Sequence, residues 1–457
     1  MSQDIDILVI GAGACGLAAA IAAHDAGAAV AIVEKRASPG GNSSLSTGSI
    51  PGAGTRYQRA AGIEDSPARL IADLMHIAGD TDCPELVQRL AEQSAATVEW
   101  LGDGIGVRLS LVTAYKHVGH SVARLHAPSS RRGQDLVDDL LAAIEKRAIP
   151  LALGNSVDHL VVAGGAVVGA FVKTASGEGS TIAAAKTILA VNGYAGNPAL
   201  VQRFCPEIAG APYFGALGST GEAVLWGERL GAALSNIAAY QGYAAVSDPH
   251  GSLLSWTTIE KGGIIVNAAG KRFGDESTGY SAFTPKVMAE AAPRYAIFDQ
   301  RMYDVAALEE EFVELAGRGG FHAAETPQAL AKLLAIDPAA LATTVADAQR
   351  AARGECPDKL GRKDFGLGPL QQRLYGCRIV PGLFHTQGGL AVDRDGRVLD
   401  TKGRPIPNLF AGGGAAGGLS GRSGAAGYAS GNGLLSAIGL GRLAGLAAAA
   451  EVRGARC

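Results

Sequence analysis

Residues 5–16 read Ile-Asp-Ile-Leu-Val-Ile-Gly-Ala-Gly-Ala-Cys-Gly. A short apolar strand runs directly into G-x-G-x-x-G, with the glycines at Gly11, Gly13 and Gly16. The alanine-rich stretch Leu17 to Ala26 predicts a helix. A second strand, Ala29 to Val33, ends on Glu34. Each piece has a task in holding a dinucleotide. Gly11 permits the tight turn, Gly13 lets a pyrophosphate approach the backbone at the positive end of the helix, and Gly16 lets helix and strand pack closely. Glu34 can accept both hydrogen bonds of an adenosine ribose. In a chain with 64 glycines the glycine pattern alone carries little. Strand, helix, second strand and terminal acid together carry the reading.

The loop after the acid separates the two common dinucleotides. Lys35-Arg36-Ala37-Ser38-Pro39-Gly40-Gly41-Asn42-Ser43-Ser44 supplies a second cluster of small residues. Such a cluster lets the backbone pass close to the pyrophosphate of FAD, which an NAD enzyme does not require. The plain alternative is an ordinary flexible loop.

The rest of the chain bounds the function. Its 457 residues suffice for two domains, and a net charge of −3 suggests neither nucleic acid nor a membrane surface as partner. The cysteines, Cys15, Cys83, Cys205, Cys356, Cys377 and Cys457, include no C-x-x-C pair. That argues against a disulfide framework, a metal site or an iron–sulfur cluster. The fingerprint begins too early to leave room for a signal peptide, and a cytoplasmic location is expected. The longest apolar stretch, Leu434 to Ala450, is interrupted by Arg442 and reads as a buried helix rather than a membrane span. Strand-like runs recur at Val161 to Val172 and Thr187 to Val191, the latter entering Asn192-Gly193-Tyr194. From Leu409, Leu-Phe-Ala-Gly-Gly-Gly-Ala-Ala-Gly-Gly reads as strand, turn and helix. Nucleotide-like segments at both ends imply one domain built from 1–240 and 369–457, with 241–368 inserted as a cap.

With these segments in hand the chain resembles the fumarate reductase/succinate dehydrogenase flavoprotein family, which includes the 3-ketosteroid Δ1-dehydrogenases and tricarballylate dehydrogenase-like proteins. Four stretches carry the resemblance: Gly11 to Ser44; Ile188-Leu-Ala-Val-Asn-Gly-Tyr-Ala-Gly-Asn-Pro; Gly262-Gly-Ile-Ile-Val-Asn-Ala-Ala-Gly-Lys-Arg-Phe-Gly-Asp-Glu-Ser; and His385-Thr-Gln-Gly-Gly-Leu with the later Gly431-Asn-Gly-Leu. The resemblance implies an α/β fold: a Rossmann-type, glutathione-reductase-like FAD-binding domain with an inserted α+β capping domain. It implies that FAD is bound by Gly11, Gly13, Ala14, Cys15, Gly16, Glu34, Lys35, Gly40, Gly41, Asn42, Ser43 and Ser44. Val157, Ala190, Asn192, Gly193, Gly388, Gly413, Asn432, Gly433 and Leu434 complete the set. The flavin is expected to be noncovalent, because the loop Asn42 to Thr47 lacks the histidine of the covalent members. The family's usual acid for the ribityl hydroxyls is missing; Gly412 to Gly414 offer only backbone there.

The departures are informative. Succinate and fumarate enzymes bind two carboxylates with arginines. Here the two matching positions are Tyr280 and Tyr428, and a cap-entry histidine position is Gly242. Tyrosine cannot replace arginine as a bidentate carboxylate partner, but it can polarise a ketone oxygen or act as a base. Paired tyrosines resemble the ketosteroid dehydrogenases, although Ala429 stands where those carry proline, and the spacing here is closer to the tricarballylate type. Tyr280 is therefore the candidate base and Tyr428 the candidate electrophile. A backbone N–H in Gly431 to Gly433 is a second donor, His385 and Tyr115 are possible helpers, and Arg422 with Gly431 are candidate substrate contacts. Packing roles compete: Tyr280 in the cap, Tyr428 against the flavin, His385 on a carbonyl, Tyr115 and Arg422 on the surface. The expected activity is α,β-dehydrogenation of a cyclic ketone, a 3-oxosteroid or a smaller ring, with an unidentified electron acceptor. An enoate reductase or tricarboxylate dehydrogenase, and a non-catalytic electron-transfer subunit, are the alternatives.

Overall fold

The structure, a computed structural model, describes residues 5–113 and 117–456. The chain forms two compact units. The first comprises residues 1–206, 215–240 and 385–457, and the second 207–214 and 241–384.

The first unit is a doubly wound α/β fold. Strand β1 (Ile5–Ile10) leads into helix α1 (Ala14–Asp25), which starts three residues before the expected point, and then into strand β2 (Val30–Val33). β1 lies between β2 and the strand Gly179–Leu189, parallel to both, with Leu8 opposite Ala31 and Thr187. The parallel sheet continues through Pro405–Ala411 on one side and Leu151–Ala152 on the other. Its strands are apolar on both faces, as burial by helices on either side demands. Three loops therefore emerge together at the carboxyl ends of neighbouring strands, those after Ile10, Leu189 and Ala411, which is where this architecture binds ligands.

Two sequence expectations change here. The run Val161–Val172 is a hairpin, Ser156–Ala163 and Ala166–Lys173, turning at Gly164-Gly165. After Ala411 comes a single 3₁₀ turn at Gly413–Ala415 rather than a helix; the long helix begins at Asn432 and runs to Arg456. It is apolar and long enough to cross a membrane, but 67% of its apolar window is buried. A β-carbon at Gly441 would lie 2.4 Å from the Cys15 carbonyl oxygen, and one at Gly445 2.3 Å from that of Ala19, so α1 seats directly against it.

The second unit is α+β. Its sheet pairs Ile264–Val266 with Arg294–Asp299, and the latter with the long strand Leu374–Thr386, all antiparallel. Residues 369–384 thus belong to this unit, and the boundary expected at 368 falls inside it. The physical reason is that ladder: Leu374 to Ile379 hydrogen-bonds against Asp299 to Arg294. The Gly262–Ser277 motif builds a buried ion cluster. Glu276, fully buried, accepts from Arg272 Nε (2.9 Å) and Nη2 (2.6 Å) and from the Ile265 amide (3.0 Å). Arg362 donates to the carbonyls of Gly263 (2.7 Å) and Ile259 (2.8 Å) and reaches Glu276 at 3.4 Å. This motif is structural: it anchors the turn leading to Tyr280.

Candidate active site

In the first unit the fingerprint takes the form its chemistry requires. Gly11 has φ +106°, and a β-carbon at Gly16 would lie 1.9 Å from the Gly11 carbonyl oxygen. Glu34 is held by two amides, Ala12 N–H to Oε2 (2.8 Å) and Arg36 N–H to Oε1 (2.9 Å), with further lone pairs available to a ribose. The second glycine cluster docks on the first: the Gly40 amide donates to the Ala12 carbonyl (2.9 Å), and the Ala14 amide to Ser43 Oγ (3.3 Å). Residues Gly41–Ser44 form one helical turn. Asn42 Oδ1 accepts from the Ala216 amide (2.6 Å), and Lys35 pairs with Glu222 and donates to Thr220 Oγ1 (3.0 Å).

From the next strand, the Ala190 amide donates to the Ile10 carbonyl (2.8 Å). Asn192, at φ +64°, donates through Nδ2 to Ser219 (2.7 Å) and accepts the Gly193 amide at Oδ1 (2.9 Å). A β-carbon at Gly414 would lie 2.5 Å from that Oδ1, and one at Gly412 2.8 Å from Cys15 Sγ. The Asn192 amide thus occupies the space beside Gly414. Val157 pairs with Val172 at the edge of the core, and Leu434 is buried in it. Gly388 backs onto the Asn236 carbonyl, where a β-carbon would lie at 2.0 Å, so its role is close packing.

A bound FAD fits these residues. Among the described residues, the buried Asn42 Nδ2, Asn432 Oδ1 and Ser436 Oγ have no protein hydrogen-bond partner. Little crowds Gly13: a β-carbon there would meet a single neighbour, the Gly40 oxygen, at 3.6 Å.

At the start of the long helix, His385 and Tyr428 meet edge-on, with ring centroids 6.4 Å apart. A β-carbon at Gly433 would lie 3.3 Å from His385 Cε1. Gly431, at φ +77°, turns the chain into the helix beside the Ser49 carbonyl. Burial pushes the His385 imidazole down to about 4, so it is neutral at pH 7. Its Nδ1 lies 3.3 Å from the Thr386 carbonyl, and Gln387 Nε2 lies 3.1 Å from its Nδ1 and 3.3 Å from its Nε2. Arg422 points elsewhere. It pairs with Asp82 (2.6 Å) and Asp80 (2.7 Å), and its side chain is 55% exposed. Its geometry is that of a surface arginine. Tyr115 lies outside the described residues.

In the second unit Tyr280 is half-buried in an aromatic cluster, 5.0 Å from Tyr243 and 6.2 Å from Trp256. Tyr243 stacks on Phe384 at 5.3 Å, and Phe384 meets Phe214 at 6.1 Å. The Tyr280 carbonyl accepts from the Ala244 amide (3.1 Å) and Thr284 Oγ1 (2.8 Å). Position 242 has no room for a histidine: a β-carbon there would lie 2.7 Å from Thr284. Sequence reasoning missed this cluster, because its members are scattered from Phe214 to Phe384. It also missed the fully buried Arg124, whose acid partners lie 51 and 59 residues away.

Fold and site define a flavin-type dinucleotide-binding oxidoreductase with an inserted second unit. The family model described as FAD binding domain matches residues 6–433, and the chain belongs to that family. It is 30% identical to the NADH:fumarate oxidoreductase of Klebsiella pneumoniae (strain 342) over 99% of this chain and 48% of that protein, and so spans about half its length. Among solved structures it is similar to the open conformation of a flavocytochrome c3 fumarate reductase (31% identity, TM-score 0.83, 99% of this chain and 79% of that one). It is also similar to the 3-ketosteroid-Δ4-(5α)-dehydrogenase of Rhodococcus jostii RHA1 in complex with 4-androstene-3,17-dione (27% identity, TM-score 0.77, 98% and 97%). These are FAD-dependent oxidoreductases acting on CH–CH bonds.

Proposed function

We propose that this protein dehydrogenates a cyclic ketone between the carbons α and β to its carbonyl. What carries the reading is the pair of tyrosines, Tyr280 and Tyr428, at the two positions that the family resemblance gives to carboxylate-binding arginines. Desaturation needs a base for the α-proton, a donor for the carbonyl oxygen as negative charge grows on it, and an acceptor for the β-hydride. Bound FAD supplies the hydride acceptor. Tyr428 donates its hydroxyl hydrogen to the ketone oxygen, with an amide at the head of the Asn432 helix as second donor. His385, neutral beside it, can hydrogen-bond an uncharged oxygen without requiring a carboxylate. Tyr280 takes the α-proton, and its aromatic surroundings suit an apolar ring. We further propose that the flavin is noncovalent, held through Glu34, the Gly40–Ser44 turn, Asn192 and Asn432.

The second reading, reduction of a fumarate-like unsaturated acid, is favoured by the similarity to the NADH:fumarate oxidoreductase and the flavocytochrome c3. Anaerobic mixing separates the two. Bleaching of the FAD-loaded protein by cyclohexanone or 4-androstene-3,17-dione, with no response to succinate, supports the ketone reading. Turnover of succinate or fumarate with no ketone response overturns it.

A further inference from the structure

We propose that His120 is a positioning residue for Tyr428, acting through the backbone of the turn that carries it; this rests on the reading of Tyr428 as the polarising hydroxyl. Segment 117–121 grips residue 430 at both backbone groups. The Ser430 amide donates to the Val118 carbonyl (3.0 Å), and His120 Nε2 lies 2.8 Å from the Ser430 carbonyl.

Elementary chemistry fixes the tautomer. Arg124 Nη1 lies 3.3 Å from His120 Nδ1, and a guanidinium can only donate. Nδ1 is therefore the acceptor, the ring proton sits on Nε2, and Nε2–H donates to Ser430.

Arg124 is itself immobilised. Its side chain is fully buried, with Nε and Nη2 on Asp65 (3.0 and 2.9 Å) and Nη1 on Asp73 (2.6 Å). Asp73 also accepts from the Ser121 amide and hydroxyl, both at 2.8 Å. The fit is close: a β-carbon at Gly119 would lie 2.7 Å from that of Ala429. The chain Asp65/Asp73–Arg124–His120 thus ends on the peptide between Tyr428 and the head of the helix. Holding Ser430 fixes the origin of two donors at once, the Tyr428 hydroxyl and the first helical amides. Donors stabilise developing charge in proportion to how well they are fixed beforehand.

The test uses FAD-loaded protein with His120→Leu, His120→Gln, Tyr428→Phe and the double variant His120→Leu/Tyr428→Phe. Glutamine keeps a donor near the Nε2 position and an acceptor for Arg124. Hydrogen exchange of the Ser430 amide should accelerate about tenfold or more in His120→Leu, with α1 amides unchanged, and recover in His120→Gln. Flavin reduction by 4-androstene-3,17-dione or cyclohexanone should slow about tenfold in His120→Leu with little change in KM. The double variant should be no slower than Tyr428→Phe alone. Unchanged Ser430 exchange, or rate losses that multiply in the double variant, would overturn the proposal and leave the reading of Tyr428 standing. A wild-type rate in Tyr428→Phe would defeat that reading and this inference with it, while the exchange data report whether the clamp exists.

Discussion

The rings of His385 and Tyr428 stand edge-on, 6.4 Å apart, in a part of the first unit where the long C-terminal helix begins. Burial holds the His385 imidazole at about 4, so that ring carries no charge at pH 7. A neutral imidazole and a tyrosine hydroxyl beside a helix N-terminus suit a carbonyl oxygen that becomes negative only during reaction. Tyr428→Phe should therefore lower kcat for a cyclic ketone by ~10²-fold or more, with a smaller change in KM. Stopped-flow flavin reduction checks this.

Tyr280→Phe keeps the ring that packs against Tyr243 and Trp256. Stability should change little, whereas turnover should fall by ~10²-fold or more through loss of the base. A melting curve alongside the rate separates the two effects. Near wild-type kcat would make Tyr280 a packing residue.

Arg422→Ala should leave KM for the best substrate within about twofold, since its guanidinium is spent on Asp80 and Asp82 at the surface. A large rise in KM would show that it leaves those acids to bind substrate.

How much of this was legible beforehand follows the range of the interactions. The β1–α1–β2 fingerprint is local, so Gly11, Gly16 and Glu34 could be read directly. The hairpin at Gly164-Gly165 is hidden in the sequence because the apolar run is continuous while the turn rests on two glycines. The end of the second unit lies beyond the expected residue 368 because residues 374–379 are held by a ladder to residues 294–299, which no local pattern announces. The packing of Asn192 against Gly414 depends on two loops meeting, 222 residues apart in sequence. The position of Asn192 as a non-glycine residue with φ +64° was equally invisible.

That meeting can be tested. Asn192→Ala removes the amide that fills the space beside Gly414 and two hydrogen bonds, to Ser219 and the Gly193 amide. It also places alanine at a strained positive φ. FAD affinity, titrated by fluorescence quenching, should weaken by about tenfold or more. Unchanged affinity would mean that Asn192 only shapes the loop.

The last prediction concerns pH. His120, His126 and His385 are held at about 4, and His117 at about 3, mainly by burial. Free histidine titrates near 6.5. Between these values the unfolded chain binds protons that the folded chain refuses, so stability must fall as pH drops from about 6.5 toward 4 and must level off above that window. Each histidine contributes at most ~1.4 kcal/mol per pH unit there, less where the ring is partly exposed, as for His117 and His385. Thermal melting of the FAD-loaded protein from pH 4.5 to 8 should show a steep rise to about pH 6.5 and then a plateau. His120→Gln should shallow the acid limb without moving the plateau's onset, because three depressed histidines remain. A melting temperature flat across pH 4.5 to 6.5 would mean that these rings accept protons in the folded protein.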